Sequence, residues 1–300
     1  MNARSIAIIC GFFVALFYAY NFTAAKEVTP LYIGPFGLTW YRVIVTCAIF
    51  WIISLVAGPK EKIPFRELPP IALAAFCGVG FNMVTFMWGL SLTSPINASV
   101  LMVSTPIIVL VLSAIFLKER LFATRIIGIL VGFSGAALLI FLSTGTRAEA
   151  SNPTLGNLLI FVNAFSYSFY ILLAKRLTAK YHVFTLMKWL YFFGLLFITP
   201  FGITQGLAFD FEMASTSTLL YIGYVILFAT FGTYMLNIIA IKTLKPSVVA
   251  VFVYLQPLLA TLIAVGFGKD IITWQKALAG LLIFSGVFLT GLKKKKKNNR

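Results

Sequence analysis

Apolar residues run along this chain in blocks of about 20, the length a helix needs to cross the hydrocarbon of a bilayer, and the breaks between blocks carry Lys, Arg, Pro or Gly. The blocks fall at 5–25, 37–57, 69–91, 96–117, 124–142, 155–175, 183–203, 216–239, 247–267 and 273–292, and they predict ten membrane-spanning helices. The longest connection is the polar stretch Ser143 to Thr154. Loops this short leave no room for a soluble catalytic domain, so any function has to lie inside the bundle. The first block follows Arg4, but it is longer than the apolar core of a signal peptide and has no small-x-small cleavage site, so it is read as the first span.

Composition sharpens this picture. Of 300 residues 60% are hydrophobic and 11% charged, whereas a soluble domain carries about 25% charged residues to build its wetted skin. An all-α membrane protein is therefore expected. The net charge of +16 would fit nucleic acid in a soluble chain. Here the basic residues sit between apolar blocks and in the tail Lys293 to Lys297, so anionic lipid headgroups are the expected partner and nucleic acid is not. With the N-terminus inside, nineteen Lys and Arg fall on one side and four on the other, with Arg42 left inside a span. Positively charged loops stay in the cytoplasm, which places both termini there. The closing Asn298, Asn299 and Arg300 displace the lysines from the position of an ER retrieval signal, so a bacterial plasma membrane is expected.

The chain also repeats itself. Pro95, Pro106, Glu119, Ser134 and Gly135 recur, 151 positions on, as Pro246, Pro257, Asp270, Ser285 and Gly286. Trp40 and Trp189 correspond at 149. Two five-helix copies follow, 1–146 and 147–300, the second ending in the basic tail. Five is odd, so the copies enter the membrane in opposite directions. Such inverted repeats are the usual architecture of secondary transporters, with a shared site near the midplane.

The stretch Gly89-Leu90-Ser91-Leu92-Thr93-Ser94-Pro95, the span with Pro106, and Leu117-Lys118-Glu119-Arg120-Leu121 resemble the ten-helix EamA branch of the drug/metabolite transporter superfamily. Ala240 to Pro246, Gln256-Pro257 and Asp270 repeat that pattern, with Gly268-Lys269-Asp270 standing where the family more often has Gly-Glu. The resemblance implies a central cavity lined by the first four helices of each half, with the fifth and tenth at the periphery. It also implies transport by alternating access, as exporter or facilitator, of amino acids, related metabolites or drug-like compounds. A nucleotide-sugar or lipid carrier of the same fold is the alternative, and it would need basic groups such as Arg42 and Lys188 facing the cavity to meet phosphate.

Candidate site residues are the polar and aromatic ones inside spans, since a small-molecule cavity is apolar with a few hydrogen-bonding groups. They are Tyr18, Asn21, Asn82, Trp88, Asn97, Asn163, Tyr167, Tyr170, Tyr234, Asn237, Tyr254 and Gln256. Pro106 and Pro257 each remove a helical hydrogen bond and are candidate hinges. Arg42 lies near the start of its span, where two readings stand side by side: it snorkels to the interface beside Trp40 and Tyr41, or it faces the mouth of the cavity. Glu119 and Asp270, at symmetric helix junctions on opposite sides, are candidate gate or helix-terminus charges. Every Asp and Glu falls in or beside a loop, so coupling through a midmembrane carboxylate is not expected.

Cys10, Cys47 and Cys77 have no paired spacing, and His182 is the single histidine. Neither a metal site, a cofactor nor a catalytic set is therefore expected, and the chain is not read as an enzyme. The spacing Gly128-x-x-x-Gly132 permits a close helix contact, either within the bundle or in a weak homodimer of an otherwise monomeric carrier.

Overall fold

The computed structural model describes residues 2–29, 32–56, 58–59, 61–93, 98, 101–119, 121–142, 152–210, 212, 214–266 and 272–291. Among these, all regular structure is helical. We number the helical passages α1 (Ala3–Val28), α2 (Pro35–Val56), α3 (Phe65–Leu92), α4 (Thr105–Phe116), α5 (Ala123–Leu142), α6 (Pro153–Leu177), α7 (Val183–Leu207) and α8 (Thr216–Thr243). α9 joins Pro246–Val251, Phe252–Tyr254 and Leu255–Gly266, and α10 is Trp274–Gly291. Among the described residues eight helices are long and apolar enough to cross a membrane, and Thr105–Phe116 and Ala123–Leu138 are shorter apolar helices. The fourth expected span, 96–117, is described only in part, because 94–97 and 99–100 lie outside the described residues.

The helices start where local chemistry tells them to. Side-chain oxygens of Asn2, Asn152 and Ser215 accept the N–H groups of Ser5, Leu155 and Thr218 at 2.8, 3.1 and 3.2 Å, satisfying donors a first turn leaves open. α2 has no such neighbour in sequence. Its first amides, of Phe36 and Gly37, donate to the side-chain carbonyl of Gln205 on α7 at 3.0 and 3.1 Å. Gln205→Leu is expected to cost about 1–2 kcal/mol, the worth of an N-cap, and Gln205→Glu to keep the cap and add a charge favourable at a helix N-terminus. Denaturant midpoints in detergent check this; equal midpoints for Leu and wild type would show that water caps α2 as well.

Among the described residues, two pairs of breaks at matching positions in the halves interrupt the α-helical pattern within the passages. α3 widens into a π-turn at Phe76–Gly80 and α8 into another at Leu227–Gly232, with starts 151 residues apart. α4 begins after a turn at Val103 and Ser104, and α9 tightens into a 3-10 turn at Phe252–Tyr254 before Leu255–Gly266. The candidate hinges Pro106 and Pro257 thus do not bend a continuous helix. Each stands in the first turn of a fresh segment, where its missing N–H has no acceptor to serve, and the break precedes it because the ring excludes the carbonyl four residues back.

α2 packs on α7, α5 on α10, α4 on α9, α3 and α4 on α6, and α1 on α8 and α9. Replacing each helix by the one five places along leaves this pattern unchanged. The Arg4 guanidinium donates to the Gly291 carbonyl, so both ends of the described chain lie at one end of the bundle. That end is tied across the two halves. Arg176 donates to the Phe116 carbonyl at 2.5 Å, and within the second half Lys175 donates to the carbonyls of Ile241, Lys242 and Leu244 at 2.8–2.9 Å, fastening α6 to the end of α8. Lys118, in the left-handed region at φ 50°, turns the chain out of α4 and sets Glu119 facing α9.

Candidate functional site

Between the halves lies a cavity of about 100 Å³. A water needs about 10–15 Å³ of such space, so it holds several waters or one small solute. The first half lines it with Tyr18 and Asn21 from α1, Arg42 from α2, Asn82, Met83, Phe86 and Met87 from α3, and Met102 just before α4. The second half contributes Asn163 and Tyr167 from α6, Tyr234 from α8, and Val253 and Gln256 from α9. An adjoining space of about 20 Å³ shares Tyr18, Tyr167, Val253 and Gln256 and reaches Asn237. The lining residues pair across the repeat: Tyr18 with Tyr167 at a spacing of 149, and Met83 with Tyr234 and Met102 with Val253 at 151.

The two π-turns build the walls. A widened turn leaves backbone carbonyls off the regular ladder, and such turns recur at functional sites. In α3 the freed carbonyls of Cys77 and Gly78 accept the hydroxyls of Ser166 at 2.8 Å and Tyr234 at 2.6 Å, which draws α6 and α8 onto α3. Gly78 has to be glycine here, since a Cβ would lie 2.3 Å from the Tyr170 ring. Asn82 and Asn163 fasten α3 to α6 in the next turn, each side-chain amide donating to the other's backbone carbonyl at 3.3 and 2.7 Å. Asn237 donates to the Tyr167 hydroxyl at 2.9 Å, tying α8 to α6.

In α8 the π-turn presents Thr230, whose hydroxyl donates to Val225 O at 2.7 Å and accepts Nε of Arg42 at 2.8 Å. This decides between the two readings of Arg42. Helix α2 begins at Pro35, so Arg42 stands two turns, about 10 Å, inside it. It is 7% exposed and lines the cavity instead of snorkelling. Among the described residues no carboxylate pairs with it. Thr233 and the Arg42 guanidinium flank the Tyr18 hydroxyl.

The other sequence candidates separate cleanly. Trp88 is 45% exposed on the outside of the bundle, because α3 turns the opposite face, with Asn82, Phe86 and Met87, inward. Tyr170 and Tyr254 are fully buried but outside the cavity, lying where Cβ atoms on Gly78 and Gly132 would be. Asn97 and Asp270 lie outside the described residues. Glu119 is remote from the cavity, at the end that carries both termini: it pairs with Arg125 and accepts the Ser247 hydroxyl at 2.8 Å across the halves. Lys188 lies over the Trp51 ring at 5.3 Å and does not line the cavity. Sequence reasoning passed over Met83, Phe86, Met87, Met102 and Val253, which carry no signal separating them from other apolar span residues. Thr230 had one, a hydroxyl on the helix facing a lone buried arginine, but only the fold reveals that facing.

The EamA-like transporter family model matches this chain at residues 5–141 and again at 154–292. An uncharacterized transporter of Archaeoglobus fulgidus is 27% identical over 269 residues, 87% of this chain and 89% of its own length. A probable terminal-alkyne amino-acid exporter of Streptantibioticus cattleyicolor is 26% identical over 263 residues, 85% of this chain and 84% of its own. A crystal structure with 20% identity superposes with a TM-score of 0.78 over 96% of this chain and 98% of that one, which establishes the shared fold. The two matched segments, the apolar helices and the cavity between the halves agree: the chain belongs to the EamA-like transporter family and is a multi-pass integral membrane transporter, not an enzyme.

Proposed function

We propose that this chain is a secondary transporter that moves small metabolites, amino acids or related compounds, through the central cavity by alternating access. In this proposal ten transmembrane helices form two inverted five-helix repeats with both termini cytoplasmic. The observation that carries it is the pairing of cavity residues across the halves, Tyr18 with Tyr167, Met83 with Tyr234 and Met102 with Val253. A site on the axis relating two halves is reached from either side when they rock. The matched π-turns, the helix pairing that survives exchange of halves, and the excess of Lys and Arg at the end carrying both termini support the same arrangement. An amino-acid exporter among the relatives supports the substrate class.

Rocking requires one end to be closed while the other opens. At the proposed cytoplasmic end, Glu119 with Ser247, Arg176 with the Phe116 carbonyl and Lys180 with Glu67 at 3.0 Å all join the first half to the second. These are the contacts an inward opening has to break, with Glu119 acting as a gate charge, and in that motion the breaks ahead of Pro106 and Pro257 act as the hinges, one at the start of α4 and one within α9. No carboxylate lines the cavity among the described residues, which supports a facilitator or exchanger over a carrier coupled to protons through an acid.

Uptake of labelled amino acids and related metabolites into proteoliposomes, with and without a pH gradient, tests this. Saturable uptake that ignores the gradient is expected. Met102→Trp, which narrows the cavity, is expected to stop uptake of every substrate whatever its charge. Full uptake by that variant would move the pathway out of the cavity, and proton flux that depends on substrate and is lost with one acid would replace the facilitator with a symporter.

A further inference from the structure

We infer that Arg42 is the substrate anchor: its guanidinium holds a single carboxylate of the solute, while the side-chain carbonyls of Asn21 and Asn163 accept N–H groups of the same molecule. The inference rests on the cavity being the transport site and adds to it the charge and polarity of what is carried.

Three observations lead there. First, Arg42 is buried, lines the cavity, and uses Nε on Thr230, a neutral hydroxyl. The fork of its two terminal nitrogens is the part that meets carboxylates in a bidentate geometry. An arginine inside a bundle with no paired acid among the described residues is unfavourable, and an anionic solute relieves that cost. Second, Asn163 donates its amide N–H to Asn82 O, which fixes its side-chain carbonyl as an acceptor. Among the described residues no donor reaches that carbonyl, and none reaches the one on Asn21, although both residues line the cavity. A buried acceptor without a partner calls for a donor. Third, among the described residues Arg42 is the one cation in the cavity lining, Lys188 being placed over Trp51.

That third point selects the acid group. A phosphate ester dianion on one guanidinium leaves a net negative charge in a poorly solvated site beside two repelling carbonyl oxygens, whereas one carboxylate leaves none. Donors on the solute, an ammonium above all, then complete the pairing with Asn21 and Asn163.

The test uses purified wild-type protein in detergent and reads ligand-induced thermal stabilisation. The probes are matched sets built on the alanine, leucine and phenylalanine side chains: the amino acid, its amide, the amine without the carboxylate, and the acid without the amine. Phenyl phosphate and inorganic phosphate are run beside them. In at least one set the amino acid and then the plain acid are expected to stabilise, with amide and amine inactive. Arg42→Gln is expected to weaken the amino acid by roughly 30-fold or more, the usual loss when one partner of a buried charge pair is truncated, and Arg42→Lys to keep the preference for carboxylate with a smaller loss. The wild-type comparison of acid and amide stands even if Arg42→Gln does not fold. An amide that binds as well as its acid, a phosphate that binds where carboxylates do not, an Arg42→Gln protein of unchanged affinity, or no carboxylate bound in any set each overturns the inference. The two proposals fail separately. Uptake blocked by Met102→Trp but indifferent to Arg42 leaves the carrier and removes the anchor, whereas uptake indifferent to Met102→Trp removes the site itself.

Discussion

Arg125→Leu destabilises the bundle by about 3–5 kcal/mol, the cost of leaving a buried charge without its partner. The Arg125 and Glu119 side chains are 8% and 6% exposed, and the same Glu119 oxygen that meets Arg125 also accepts Ser247. With the guanidinium gone, one hydroxyl on α9 is the remaining hydrogen-bond partner of the carboxylate among the described residues, and Lys175 supports it only at longer range. Glu119→Gln in the Arg125→Leu background is expected to recover most of the loss, because an amide needs no counter-charge and still accepts from Ser247. The double-mutant cycle is read by SDS-induced unfolding in mixed micelles. Additive single effects would mean that headgroups or water solvate the pair. The cluster joins the end of α4, α5 and α9 across the halves, so Glu119→Gln alone is expected to weaken this contact and to increase labelling of a cysteine placed at Ser247 from the side carrying Arg4 and Gly291, cytoplasmic in the proposed orientation.

The helical blocks and the repeat were legible because both are written in spacing. Runs of about 20 apolar residues and markers returning after 151 positions need no tertiary knowledge. Direction around each helix was not legible. These spans are apolar on nearly every face, so no polar stripe separates the inward side from the lipid side. Trp88, Tyr170 and Tyr254 looked equivalent to Tyr167 and Tyr234 in sequence. They differ in the structure because α3 turns Trp88 to the outside, and because Gly78 and Gly132 open room for Tyr170 and Tyr254 away from the cavity.

The π-turns have no signature at all, yet they decide where Arg42 meets Thr230 and where Tyr234 meets α3. Arg42 itself stayed undecided in sequence because a shift of a few residues in the start of α2 moves it from the interface into the bundle. That start is fixed by Gln205, 169 positions from Phe36, a partner no local pattern reveals. The polar candidates that did reach the cavity share one trait. Each sits on α1, α2, α3, α6, α8 or α9, helices that pack against the other half, as the family resemblance implies.

The Ser-Gly pairs that marked the repeat carry the second large effect. A Cβ on Gly286 would lie 2.5 Å from the Gly132 N and 2.6 Å from both Gly128 O and Gly132 Cα, all backbone atoms of α5. No rotamer change relieves that contact, so Gly286→Val has to push α5 and α10 apart. A loss of about 3 kcal/mol or more is expected, the upper range for overpacking. Gly223→Val, where nothing lies within 4 Å of the added atom, is expected to stay within about 0.5 kcal/mol. The contact is reciprocal: Gly135 of α5 would meet Ala279 O and Ile283 N of α10, and these two residues stand 151 positions after Gly128 and Gly132. The glycine face of α5 is therefore filled within the same chain, by α10 at Gly128 and Gly135, where small residues allow backbones to approach, and by Tyr254 of α9 at Gly132. Neither helix contributes to the cavity lining, so the Gly286→Val protein that does fold should transport with unchanged KM while unfolding at lower SDS. An altered KM at unchanged stability would instead make α5 and α10 part of the moving pathway, because a clamp that only holds the two halves together changes stability without touching the solute.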